Sequence, residues 1–304
     1  MGLALSLAMA GCGLARRGDT VALADGRRMH IVCTGQGSPV VVFESGFGAN
    51  AAAWDKVVPA LAKHTRVCAY DRAGYGRSDP GPLPRDGASI ARDLDDTLRA
   101  ARISGPLVMV GHSAGGLYVR LFADRRPRDV VGMVLVDPSV DHQDLQLSMF
   151  GPGAADLSGI RMRVQHCLEV AQGWADEDKE GPASRCRDHG RMLPASAWQT
   201  QLSELDSLWR STSDEVSTGR PSYGAMPLIV LSASGVSDSV SGPLKGAVDA
   251  RWRAVHRDIA NRSSRGQERM VQSSHLIMVE HPEAVIEAVD EVLQQLKPTA
   301  PASK

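Results

Sequence analysis

Residues 106–124, PLVMVGHSAGGLYVRLFAD, decide how this chain folds. Pro106 to Val110 is a short, mostly apolar run that reads as a buried strand. Gly111-His112-Ser113-Ala114-Gly115 then turns the chain. Gly116 to Asp124 starts a helix, with Leu117, Val119, Leu121 and Phe122 as its apolar positions. A G-x-S-x-G between a strand and a helix has a mechanical meaning. The serine occupies a strained turn, and glycines two residues to either side let neighbouring backbone pass close by. Its hydroxyl is thereby held above the sheet at a helix N-terminus, whose N–H groups can stabilise an oxyanion. Gly and Ser are common in ordinary turns, so the pentapeptide alone is a weak signal. Strand before and helix after make Ser113 a candidate nucleophile.

On either side, strands and helices alternate. Val21–Ala24 and Met29–Cys33 flank a Gly-containing turn and suggest a hairpin. Val40–Phe43 is an uninterrupted apolar strand, suited to a sheet covered on both faces. A Gly-rich loop, Glu44 to Asn50, leads to a helix expected over Ala51–Ala62. Arg66–Tyr70 is the next strand, and Ser89–Ala101 an amphipathic helix. Beyond the opening stretch come strands at Met133–Val136, Pro227–Leu231 and Glu268–Val271, with helices at Trp252–Ala260 and Glu283–Leu296. The rhythm implies an α/β fold with a doubly wound, mostly parallel sheet. It breaks over residues 141–222, where Ala195–Arg210 carries Trp198, Leu202, Leu205 and Trp209 on one helical stripe. That segment reads as a helical cap inserted into a core of residues 19–140 and 223–296. The stripe is expected to pack on the core while its rim lines a pocket.

The 304 residues are 43% hydrophobic and 23% charged, which is ordinary for a globular protein. With a net charge of −1 and no basic stripe, nucleic acid is not an expected partner. Residues 1–18 form a leader whose apolar run, MGLALSLAMAGCG, is too short to span a bilayer. It could be the core of a signal peptide, although no Lys or Arg precedes it. Met9-Ala10-Gly11-Cys12 resembles a bacterial lipobox with Met in place of the usual Leu, so export and a lipid anchor at Cys12 are expectations. The alternative is a plain leader on a cytoplasmic protein. Cys33 and Cys68 lie in expected strands, and Cys167 and Cys186 in the insertion. An oxidising compartment would favour the pairs Cys33–Cys68 and Cys167–Cys186. His189 beside Cys186 lacks the spaced ligand pairs of a zinc site, and no metal is expected. Residues 297–304 are a Pro/Ala/Ser tail, expected to be disordered.

Five segments together give the chain a family likeness: VGHSAGG, ESGFGAN, YDRAGYGRSD, VLVDPS and SSHLIMVEHPEAV. In order and spacing the chain resembles the α/β-hydrolase superfamily along nearly its whole length after the leader, in a capped, serine-esterase or lipase-like form. The resemblance implies a nucleophile, acid and base in the order Ser, Asp, His. Ser113 is the nucleophile. His275, on a Ser-rich loop after the last strand, is the base that takes its proton. The acid follows one of two strands: Asp137 ends Val134-Leu135-Val136 and is preferred, and Asp238 is the alternative if its loop has lengthened. The oxyanion hole would use the backbone N–H of Ala114 and of Phe47. Many relatives carry His-Gly where this chain has Ser45-Gly46, which alters what braces the loop. Asp71 and Arg72 read as braces for the loops around the elbow. Among the other histidines, His112 should point away from the nucleophile, and His30, His64 and His256 read as surface or strand-edge residues. No dinucleotide fingerprint or P-loop is present, so no cofactor is implied. The implied activity is cleavage of a small-molecule carboxylic ester through an acyl-enzyme. Amide, thioester or carbon–carbon hydrolysis, or a binding protein on the same fold, are the alternatives.

Overall fold

The computed structural model describes residues 19–151, 157–176, 186–188, 191–234 and 244–297. The leader with Cys12, Asp238, and the tail from residue 298 lie outside the described residues. The described chain opens with the antiparallel hairpin β1 (Asp19–Ala22) and β2 (Arg28–Thr34). β3 (Val40–Glu44) leads to a 3-10 turn at Ala51–Trp54, α1 (Val58–Leu61) and β4 (Val67–Tyr70). Then come α2 (Gly87–Ala100), β5 (Leu107–His112), α3 (Ala114–Arg125) and β6 (Val130–Val136). Among the described residues, α4 (Gln143–Leu147), α5 (Ser158–Ala171), α6 (Ala195–Leu208) and α7 (Ser211–Ser217) lie between β6 and the next strand of the main sheet. Between α5 and α6 the two-residue strands β7 (Arg187–Asp188) and β8 (Arg191–Met192) pair with each other. The chain then runs through β9 (Leu228–Ala233), α8 (Leu244–Ala260), β10 (Gly266–Val271), α9 (Ile277–Glu280) and α10 (Pro282–Gln295).

Eight strands form one sheet in the order β1-β2-β4-β3-β5-β6-β9-β10, parallel from β4 to β10 and antiparallel where the hairpin joins. Successive residues of β5 point to opposite faces. Leu107 and Met109 join a core with Leu94, Phe122 and Trp252, from α2, α3 and α8. Val108 and Val110 join a second core with Trp54, Leu61 and Val289. Both faces are covered, which is why the strand is an apolar run without alternation. The doubly wound, mostly parallel sheet is as expected.

Some boundaries differ. The helix expected over Ala51–Ala62 is split into the 3-10 turn and α1. Pro59 has no N–H to give the carbonyl four residues back and is accommodated in the first turn of α1 instead. β6 starts earlier than Met133, and the register slips between Leu107 and Val108, so that Val131 is the extra residue of a bulge.

The helices after β6 make a small core of their own from Val164, Cys167, Leu168, Leu193 and Trp198. The α6 stripe divides: Trp198 packs within that cluster, while Leu208 and Trp209 pack on Ile90, Leu117 and Tyr118 of α2 and α3. Phe47, in the loop after β3, packs against both clusters. Both cysteine pairs are disulfides, Cys33–Cys68 across β2 and β4 and Cys167–Cys186 within the insertion. No described helix is long and apolar enough to cross a membrane.

Candidate active site

The turn after β5 is built as a strained elbow. Ser113 has φ 53° and ψ −126°, a backbone that L residues rarely adopt. Gly111 and Gly115 make room for it. A Cβ on Gly111 would lie 2.6 Å from the Gly115 carbonyl oxygen, and one on Gly115 would lie 2.5 Å from the Glu44 carbonyl oxygen. The turn is tied to the end of β6: Ser113 N–H donates to Val136 O at 3.2 Å, and Ser139 N–H donates to Ser113 O at 2.9 Å. The strain therefore sits inside a hydrogen-bonded frame.

Asp137, the first of the two residues between those ties, also has a positive φ, 41°. Its carboxylate is fully buried, and its Oδ2 lies 2.6 Å from His275 Nδ1. The other oxygen accepts from the Trp252 indole N–H at 2.8 Å and from Ala233 N–H at 3.0 Å. Burial works to raise the Asp137 carboxyl, but hydrogen bonds from His275 and Trp252 and the neighbouring imidazoles outweigh it and leave it below the usual range. An ionised Asp137 fixes the proton of His275 on Nδ1 and leaves Nε2 as a base. The His275 loop is braced by Glu280, which accepts from Ser273 Oγ, Ser274 N–H and Ser274 Oγ.

His112 links the elbow to this loop. Its ring lies 4.6 Å from that of His275, and its Nε2 is 2.9 Å from the His275 carbonyl oxygen. That carbonyl can only accept, so His112 carries its proton on Nε2. Burial and the nearby His275 push the His112 imidazole down to about 3, so it is neutral. Among the described residues, the Ser113 hydroxyl and His275 Nε2 make no hydrogen bond to each other or elsewhere. Such contacts commonly tighten only when substrate is bound.

Phe47 N–H and Ala114 N–H have no hydrogen-bond partner among the described residues. They flank the elbow: a Cβ on Gly46 would come within 3.0 Å of Ser113 Cβ and 2.8 Å of His112 Nδ1. The loop that carries Phe47 is braced by Ser45, whose hydroxyl donates to Asn50 O at 2.9 Å and accepts from Trp54 Nε1 at 3.0 Å. This is what the Ser-for-His difference supplies. Asp71 holds the following turn, accepting from Ala51 N–H and Arg77 N–H, each at 2.9 Å.

Two histidines correct the sequence reading. His256 is fully buried, not at the surface or a strand edge, and lies between Ser232 Oγ and the Pro138 carbonyl, each at 2.9 Å. His30 is buried in β2, between β1 and β4, with Nδ1 2.9 Å from Asp71 Oδ2. His64 is exposed as expected. Sequence reasoning missed Trp252 and His256 as supports of Asp137 and Pro138. The one available signal was two polar-capable rings a helical turn apart, at i and i+4, on α8. No group of three or more His, Cys, Asp or Glu that could hold a metal ion occurs among the described residues.

With this geometry in view, a family model described as the alpha/beta hydrolase family matches residues 41–288. The chain belongs to that family. One relative is the uncharacterized protein YqjL of Bacillus subtilis, 24% identical over 259 residues and 85% of each chain. Among solved structures, an esterase from Exiguobacterium antarcticum superposes with a TM-score of 0.63 at 14% identity, covering 91% of this chain and 99% of that one. The epoxide hydrolase CorEH gives 0.62 at 19% identity, covering 92% and 99%. At such identities these neighbours establish the fold, and their different chemistries leave the reaction to be argued from the site.

Proposed function

We propose that this alpha/beta hydrolase is a serine hydrolase that cleaves carboxylic esters through an acyl-enzyme on Ser113. The observation that carries the reading is one arrangement: a strained serine flanked by two unpartnered N–H groups, beside an imidazole held by a buried carboxylate. In acylation, Ser113 Oγ bonds to the ester carbonyl carbon as its proton passes to His275 Nε2. The oxyanion that forms is stabilised by Phe47 N–H and Ala114 N–H. The carbon–oxygen bond to the alcohol then breaks, and His275 returns the proton to the departing oxygen. In deacylation a water gives its proton to His275, attacks the acyl carbon and displaces Ser113 Oγ, which regains the proton. Asp137 stabilises the imidazolium in both halves.

The helical insertion, residues 141–222, is read as a cap over this site. Phe47, Trp198 and Trp209 favour an apolar acyl or aryl group of moderate size. The two disulfides support an oxidising compartment, and so export. Mass analysis of the mature N-terminus, with lipid on Cys12 as the anchored outcome, tests that part.

A panel of p-nitrophenyl esters tests the reaction. Wild type is expected to turn over, and Ser113→Ala, His275→Ala and Asp137→Asn to lose at least about a thousandfold. Full activity in Ser113→Ala sinks the mechanism, and an inert wild type favours a binding protein. Asp238→Asn belongs in the same panel. Its inactivity beside an active Asp137→Asn would move the acid.

A further inference from the structure

Arg72 is only 2% exposed, and its guanidinium lies between two equally buried carboxylates, Glu44 at the end of β3 and Glu204 on α6. It donates to Glu44 Oε1 at 2.7 Å and to Glu204 Oε1 at 3.0 Å. Tyr70 donates to Glu44, and Tyr118 donates to Glu204 at 3.1 Å, so both carboxylates are further satisfied. The guanidinium also stacks over the Tyr75 ring, 4.6 Å from its centroid. Its Nε also donates to Glu204 Oε2 at 3.4 Å, and the other hydrogen bonds go to the backbone of the loop after β3. Nη1 donates to Ser45 O, and Nη2 to Gly46 O at 2.9 Å.

That last bond has a geometric consequence. Gly46 O and Phe47 N–H belong to the same planar peptide unit, and in a trans peptide they point in opposite directions. Holding the oxygen on the Arg72 side turns the N–H to the other side, where it has no partner among the described residues. A buried ion triad gives little net stability, because desolvation consumes most of the Coulomb gain. Its distinctive contribution here is direction. Two fixed donors of one planar group, Nη1 and Nη2, hold two consecutive carbonyls of the loop.

We propose that Arg72 is a positioning residue that aims Phe47 N–H at the developing oxyanion, and that Glu204 of the inserted helix α6 locks it in place. Docking of the insertion and assembly of the oxyanion site are then one event. The proposal rests on the serine-hydrolase reading above, and Phe47 reinforces it, since its side chain packs against the insertion while its backbone serves the site.

The test uses a fluorophosphonate probe, which reports attack by Ser113 without reference to any ester, together with steady-state kinetics on a p-nitrophenyl ester and a thermal melt. Arg72→Lys keeps the charge and loses the fork. Glu204→Gln keeps the volume and one acceptor oxygen, and carries the test should Arg72→Lys fail to fold. The expected result is a fall in kcat and in the labelling rate, about a hundredfold for Arg72→Lys and about tenfold for Glu204→Gln, with KM within about twofold of wild type. A merely structural strut would move the melt and leave the rates of the folded enzyme alone. Folded variants that label and turn over like wild type overturn the proposal while the serine reading stands. A wild-type chain that the probe does not label at Ser113 overturns both.

Discussion

Lowering the pH should weaken this protein well above the carboxylate range, and His112 supplies a calculable part of the loss. Its imidazole is fully buried, donates from Nε2 to His275 O, and has no partner on Nδ1. Protonation would place a second N–H, and a charge, where nothing accepts it. Burial and His275 accordingly hold the folded-state value at about 3, against 6.5 for a free imidazole. The sign follows from linkage. Below 6.5 the unfolded chain takes up a proton that the folded chain refuses until about 3, so stability falls as the pH drops through that window. The loss from this one group is about 0.2 kcal/mol at pH 7 and about 2 kcal/mol at pH 5. His256, also pushed down by burial, adds a loss of the same sign. His112→Gln keeps a donor for the His275 carbonyl and does not titrate. Thermal melts of wild type and His112→Gln at pH 7, 6 and 5 isolate the term. The variant should lose about 2 kcal/mol less than wild type on going from pH 7 to 5, roughly 4 °C in Tm. Parallel curves for the two proteins would refute the reasoning.

Three further outcomes follow from the same geometry. Gly46→Ala places a methyl within 3.0 Å of both His112 Nδ1 and Ser113 Cβ, so the loop must shift, and kcat on a p-nitrophenyl ester should fall at least about tenfold. Trp252→Phe removes a charge-assisted hydrogen bond from Asp137 Oδ1, of a kind worth about 1.5–3 kcal/mol, so kcat/KM should fall about ten- to a hundredfold. The double variant Cys33→Ala/Cys68→Ala opens a crosslink spanning 35 residues and should lose about 3–4 kcal/mol in a denaturant titration, an effect that reductant should reproduce in wild type.

The parts of the molecule visible in the sequence are those whose physics is local. The elbow is one: a strand, a Gly-flanked serine and a helix sit side by side in the chain, and each constrains the next. Asp137 is nearly as local, a carboxylate ending an apolar strand. What was not visible depends on meetings across long stretches of chain. Trp252 reaches Asp137 over 115 residues, and Glu204 reaches Arg72 over 132. Neither pair leaves a pattern that periodicity can detect. Glu204 lies on the helix that carries Trp198, at a position that reads as an ordinary polar residue until α6 is packed on Tyr118. His256 is illegible for the same reason, since an isolated histidine near the end of a helix does not reveal that Ser232 and Pro138 enclose it. The break at Pro59 was local and legible in principle, but the surrounding alanines and valines mimic a continuous helical stripe.

The nucleophile itself can be tested by trapping the acyl-enzyme. Wild type mixed with p-nitrophenyl acetate and quenched in acid within the first turnovers, then digested and mapped by mass spectrometry, should carry one acetyl group on Ser113. Any adduct formed in His275→Ala should persist, because deacylation needs the same base. An enzyme that hydrolyses the ester while carrying its acetyl group on any other residue, with Ser113 unmodified, would contradict the mechanism.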